Sequence, residues 1–134
     1  MYQRPNPTIV RAAIIGRIQS YTGKRCYDKV PANTPVPFYA LPTVLQKPDD
    51  SKTMARDTFE ILIYAFAEGD SSIAIDTMTT GLYEAFSTEL EIPDYEVTLQ
   101  QFEGVNQIMD QEDGSTMAVV SLRITIFYGY KMKI

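Results

Sequence analysis

The alternation between Arg56 and Ala67 constrains this chain more than any other stretch. Thr58, Glu60, Leu62, Tyr64 and Phe66 interleave with Phe59, Ile61, Ile63, Ala65 and Ala67. Successive side chains of a strand point to opposite faces, so this period of two in β-branched and aromatic residues predicts a β-strand. One set is wholly apolar and the other turns apolar from Leu62. That predicts a central strand with one face in the core and, from Leu62 onward, cover on both faces.

The flanking stretches supply its neighbours. Asn6 and Pro7 fit an N-cap and first helical position, opening a helix to about Ser20 that Gly23 closes. Its apolar residues (Ile9, Val10, Ala12, Ala13, Ile14, Ile15, Ile18) fill more than one stripe, as in a helix that is deeply buried or shared with a partner. Arg25–Val30 reads as a short strand, followed by a turn-rich link through Pro31, Pro35 and Pro37. Phe38–Leu45 reads as a strand that Pro42 confines to an edge or a bulge. After the central strand, Ile75, Met78, Leu82, Ala85 and Phe86 recur at helical spacing to about Leu90, with Gly81 marking close packing on the sheet. Tyr95–Ile108, bulged at Gly104, and Thr116–Tyr130 flank a hairpin turn at Asp113-Gly114. The expected fold class is α+β in the order α-β-β-β-α-β-β. It has a mainly antiparallel sheet with two helices packed against it.

Length and composition bound the function. At 134 residues, 45% apolar and 22% charged, the chain is expected to form one domain over residues 8–134, preceded by a flexible arm over residues 1–7. No apolar run approaches the ~20 residues that span a bilayer. Pro5 and Pro7 sit where a signal peptide would be apolar, so the chain reads as intracellular in origin with no membrane partner. It contains no histidine, which removes the commonest general base and metal ligand. The single cysteine, Cys26, lacks a histidine to activate it and reads as an inert apolar residue. Asp110, Glu112 and Asp113 before Gly114 lack the spacing of a calcium loop and read as a turn. Cofactors and metals are therefore not expected, and the chain does not read as an enzyme.

Charge is segregated along the chain. Met1–Arg56 holds nine Lys and Arg against three Asp and Glu, whereas Asp57–Leu122 holds fourteen acids and no base. Arg123–Ile134 returns three bases. Such a subunit suits head-to-tail association with its own copies. The basic N-terminal third also supports an alternative, a nucleic-acid-binding accessory protein in which Lys24 and Arg25 act with Tyr21 and Tyr27. Between the second and third strands, Gln46, Lys47, Pro48, Asp49, Asp50, Ser51, Lys52 and Thr53 are wholly polar or loop-forming. They are expected to make a mobile docking loop.

Tyr27-Asp28-Lys29-Val30-Pro31, followed by Pro35, Pro37, Phe38 and Tyr39, resembles the phage tail completion family, the small tail-terminator or tail-to-head joining proteins of long-tailed phages. The likeness continues through Asp57–Ala67, the next helix and the terminal hairpin, and covers nearly all of the chain from Arg11. It implies a structural virion protein that forms a ring, typically of six copies, on the head-proximal end of the tail tube. The ring would stop tube polymerisation and join the tail to the capsid. The implied partners are copies of itself, the tube protein and a head-completion or neck protein. DNA would pass through without specific binding, at a head-tail junction assembled in the host cytoplasm. No catalytic residues come with the resemblance. In such a ring Glu84, Glu89, Glu91, Glu96 and Glu103 are expected to face the lumen or to meet a neighbour's Lys or Arg.

Overall fold

A chain whose central strand alternates so regularly can pack helices on one face of its sheet, and this one does. The computed structural model describes residues 3–131. Its elements are α1 (Pro7–Thr22), β1 (Cys26–Tyr27), β2 (Phe38–Pro48), β3 (Met54–Glu68), α2 (Ser72–Ala85), β4 (Glu96–Asp110) and β5 (Ser115–Tyr130). The α+β class and the element order match the expectation. The sheet runs β1-β2-β3-β5-β4, with β3 in the middle. Every pairing is antiparallel except β1 with β2, which is parallel. The link from Asp28 to Pro37 makes this possible, because it is long enough to bring β2 in alongside β1 in the same direction.

Both helices cover one face. From β3 it carries Phe59, Ile61, Ile63, Ala65 and Ala67, and from β5 Val120, Leu122, Ile124 and Ile126, all buried. Val10, Ile14 and Ile18 of α1 and Ile75, Met78 and Leu82 of α2 close over them. The expected second cover from Leu62 is only partial, since Leu62, Tyr64 and Phe66 are half-buried. Among the described residues no helix lies on that side. Phe38 stacks on Phe66 with ring centroids 4.7 Å apart, and Tyr27 meets Phe38 edge-on at 5.7 Å. This aromatic cluster shields one end of the open face and leaves the rest accessible.

Local chemistry sets the element ends. The Asn6 side chain accepts from the Thr8 amide at 2.8 Å, Pro7 follows it, and Gly23 ends α1 in the left-handed region at φ 74°. Such a φ is open to glycine at little steric cost. Ile9, Ala13 and Ile15 are half-buried against the core, which accounts for much of the wide apolar stripe of α1. Pro42 lies where the β2–β3 register breaks, between Ala40 and Thr43. The first β-segment shrinks to Cys26–Tyr27, and β2 extends past Leu45 to Pro48. α2 stops at Ala85 instead of about Leu90. The Arg17 guanidinium donates to the carbonyls of Ala85 at 2.7 Å and Glu89 at 2.8 Å, satisfying acceptors left open where α2 ends.

Gly81 and Gly16 separate two reasons for a helical glycine. A Cβ on Gly81 would lie 3.2 Å from the Tyr39 hydroxyl and 3.4 Å from Thr22 Cγ2, whereas one on Gly16 would meet nothing within 4 Å. The Tyr39 hydroxyl is fixed there because it donates to the Met78 carbonyl at 2.7 Å. Gly16→Ala is expected to stabilise the protein by about 0.5–1 kcal/mol through helix propensity. Gly81→Ala is expected to forfeit that gain or to destabilise. Urea unfolding midpoints measure both, and equal gains at the two positions would remove the close-packing account of Gly81.

Candidate functional site

The polar stretch expected to be a mobile loop is shorter and firmer than its composition implies. Gln46, Lys47 and Pro48 belong to β2 and pair with Phe59, Thr58 and Asp57. Only Asp49–Thr53 connects β2 to β3, and it is tightly bonded. The Asp49 amide donates to the Arg56 carbonyl at 2.9 Å, and Arg56 Nε returns to the Asp49 carbonyl at 2.9 Å. Ser51 Oγ accepts from the Met54 amide at 3.0 Å. The start of the chain's last segment reaches the same turn: the Lys131 amide donates to the Thr53 carbonyl at 2.7 Å, and its ammonium pairs with Asp50 at 3.0 Å.

The expected flexible arm is tied to this end of the sheet as well. Among its described residues, Arg4 Nε lies 3.2 Å from Asp57 Oδ2 and donates to the Tyr128 hydroxyl at 3.0 Å. Pro5 is buried, and its carbonyl accepts from Gln46 Nε2 at 2.8 Å. Met1 and Tyr2 lie outside the described residues. Asp57 is 1% exposed, on the core face of β3. Its Oδ2 also accepts from Gln46 at 2.7 Å, while Oδ1 is buried with no partner among the described residues. A buried carboxylate is costly unless bonded, and Arg4 and Gln46 supply the compensation. Sequence reasoning missed this contact because an acid at a core-facing strand position breaks the apolar alternation without naming its partner.

The five glutamates do not form one wall. Glu84 projects from α2, Glu89 and Glu91 lie on the α2–β4 connection, and Glu96 opens β4; all four are exposed. Glu103 instead lies 3.7 Å from Arg123 of its own chain. Arg123 also approaches Glu60 at 4.0 Å, and Glu60 pairs with Lys47 at 3.0 Å. This row of alternating charge crosses the open face from β2 to β4. The remaining family-motif residues hold structure. Asp28 pairs with Arg11 of α1 at 3.3 Å, Tyr27 joins the aromatic cluster, and Tyr39 bridges β2 to α2. Pro37 follows a cis bond, and Val30 and Pro31 are exposed on the link.

Reactive chemistry is held down. Burial pushes the Cys26 thiol up to about 12 and, with a smaller contribution from Cys26, the Tyr39 hydroxyl up to about 12. Both stay protonated near neutrality. Among the described residues no group of three or more His, Cys, Asp or Glu could hold a metal ion, and no helix is long and apolar enough to cross a membrane. Of the basic N-terminal third, Arg4, Arg11, Arg17, Lys47 and Arg56 are engaged within the chain.

Asp50 gives the connection a pH dependence. The Arg56 amide first, then the Lys131 ammonium, holds its carboxyl below the ordinary 3.8. A carboxyl depressed by folding adds stability that is present above the ordinary value and is lost as pH falls through the depressed one. Protection of the Ser51–Met54 amides, the exchange rate taken relative to the intrinsic rate at each pH, is expected to fall in acid, and Asp50→Asn is expected to flatten that dependence. An unchanged acid profile in the variant would detach Asp50 from the stability of the turn.

Comparison with known proteins adds the following. A family model described as "Putative tail termination protein" matches residues 8–134. A chain of a solved structure titled "Virion of native gene transfer agent (GTA) particle" shares the fold with a TM-score of 0.67 and 14% identity, over 90% of each chain. No curated protein matches.

Proposed function

This chain belongs to the tail termination family, and from that premise we propose that it is a structural virion protein that ends tail growth and joins the tail to the head. Copies, six in the proposed assembly, form a ring on the head-proximal end of the tube of a long-tailed phage. The ring denies further tube subunits their docking surface and offers its other side to a head-completion or neck protein. The family match over nearly the whole chain carries this reading. The likeness of fold to a chain from a gene transfer agent particle supports a place in the virion. The chemistry fits a scaffold: thiol and phenol are buried, and most conspicuous polar groups hold segments of the chain together. The nucleic-acid reading is weaker, because five of the nine cations that motivated it work within the chain. DNA therefore crosses the ring without a dedicated binding site, at a head-tail junction assembled in the host cytoplasm.

Tube protein polymerised with and without this protein is the direct test. Electron microscopy should show tubes of regulated length bearing a ring at one end when it is present, and overlong bare tubes when it is absent. Unchanged tube lengths and bare ends with the protein present would refute the reading.

The Asp49–Thr53 connection is the proposed docking element on the end of the ring. Replacing it with Gly/Ser of equal length, leaving Gln46, Lys47 and Pro48 in β2, is expected to keep a cooperative thermal melt at a somewhat lower midpoint and to lower tail-to-head joining in an extract assay. Normal joining would reduce the segment to a connector.

A further inference from the structure

The fold brings unpaired charges from the two blocks of the sequence to opposite edges of one sheet, and it places them level. Tracing partners across the strands, Cys26 pairs with Tyr39, Tyr39 with Ala65, Ala65 with Ala118 and Ala118 with Ile108. At one end of this row Lys24, Arg25 and Lys29 flank β1; at the other, Asp110 and Glu112 follow Ile108 on β4 and its turn. Lower down, Leu45 and Lys47 of β2 align with Gln101 and Leu99 of β4 through β3 and β5. There β2 extends beyond the two-residue β1 and is itself the sheet's edge.

Each edge mixes charge with uncovered apolar surface. Tyr21 (54% exposed), Val30 (41%) and Leu45 (51%) accompany the cations, and Leu99 (42%), Val105 (36%) and Ile108 (52%) accompany the acids. Lys24 and Lys29 have no ion pair among the described residues, and neither do Asp110 and Glu112. Arg25 only lies over the Tyr27 ring, at 5.1 Å. Ladder pairing across these edges is disfavoured, since β1 is two residues long and the β4 register with β5 breaks at three places.

We propose that the occupant of each edge is the other edge of a second copy. The Lys24–Lys29 edge of one subunit meets the Asp110–Glu112 edge of the next, with Ile108 against Val30 and the Leu99–Gln101 stretch against Leu45–Lys47. This rests on the ring-forming reading above and names its contact surfaces. Because the two surfaces differ, the contact is heterologous and repeats around a closed ring. It acts through side chains, and it weakens with salt.

Two charge-reversed proteins test it. One carries Asp110→Lys and Glu112→Lys, so that both edges are basic; the other carries Lys24→Glu and Lys29→Glu, so that both are acidic. Thermal melts establish that each folds, and light scattering together with electron microscopy of capped tubes reads association. Each variant alone is expected to associate roughly tenfold or more weakly than the natural protein. A one-to-one mixture is expected to form rings of alternating copies. Variants that fold and form rings alone, or a mixture that stays apart, would overturn the edge assignment while the ring reading stands. Rings that persist but no longer cap tubes would assign the edges to the tube protein, again overturning it. Natural protein that forms no ring on tubes overturns both.

Discussion

The ladder between β3 and β5 is the constraint from which the rest of the structure follows. It runs from Met54 opposite Tyr130 to Glu68 opposite Ser115, with one register break between Ala55 and Arg56. A slip of β5 by one residue against β3 would turn Leu122 and Ile124 away from the helices and expose them, so the apolar alternation and the register fix each other. Once the two strands are locked, β2 and β4 have one inner edge each to occupy. The helices have only the face bearing Phe59–Ala67 to bury. The asymmetry between a helix-covered face and an open one is thus a consequence of pattern, since Glu60 and Arg123 make full burial of the other face costly.

Polar residues then close what the apolar core leaves loose. Arg17 reaches from α1 to the carbonyls at the end of α2, and Gln100 of β4 takes the Leu90 amide at 2.6 Å and the Thr88 carbonyl at 2.8 Å. On the β2 side of the sheet, Asp57 gathers Arg4 and Gln46, while Asp50 holds Lys131. Both sets bind segments that lack a helix or strand ladder of their own. In the proposed assembly, where fixed surfaces meet several neighbours, such clamps would lower the ordering cost of association.

Periodic elements were legible in the chain and point contacts were not. Period two in β3 and β5 and the Ile75–Leu82 stripe of α2 report burial directly, because each repeat samples the same face. Asn6, Pro7, Gly23 and Asp113-Gly114 report turns and caps through backbone chemistry confined to a few residues. Arg17 and Asp57 carry no such signal: their partners lie across the fold, and a lone polar residue on an amphipathic element looks the same whether solvated or bonded. The docking segment was misread for a related reason. Lys47 and Pro48 are polar or turn-forming in composition, yet at the edge of a sheet a solvent-facing strand position tolerates both. The charge blocks were visible in sequence, but the placement of charges from them on opposite edges needed the strand order β1-β2-β3-β5-β4.

That strand order also bears on how a subunit with the proposed capping role would avoid becoming a polymer. An open sheet with two long, flat edges would extend through backbone ladders, each added copy offering a fresh edge of equal quality. Here one edge is largely β2 beyond a two-residue β1, and the other is a strand whose register breaks near Thr98, Glu103 and Asn106. Bulges of this kind add twist and re-aim side chains, so a neighbour cannot match the whole edge with main-chain bonds. In the proposed assembly, association passes instead to charges and apolar side chains whose positions set an angle between copies. A fixed angle closes a ring where a ladder would continue, which is the behaviour that the proposed function requires.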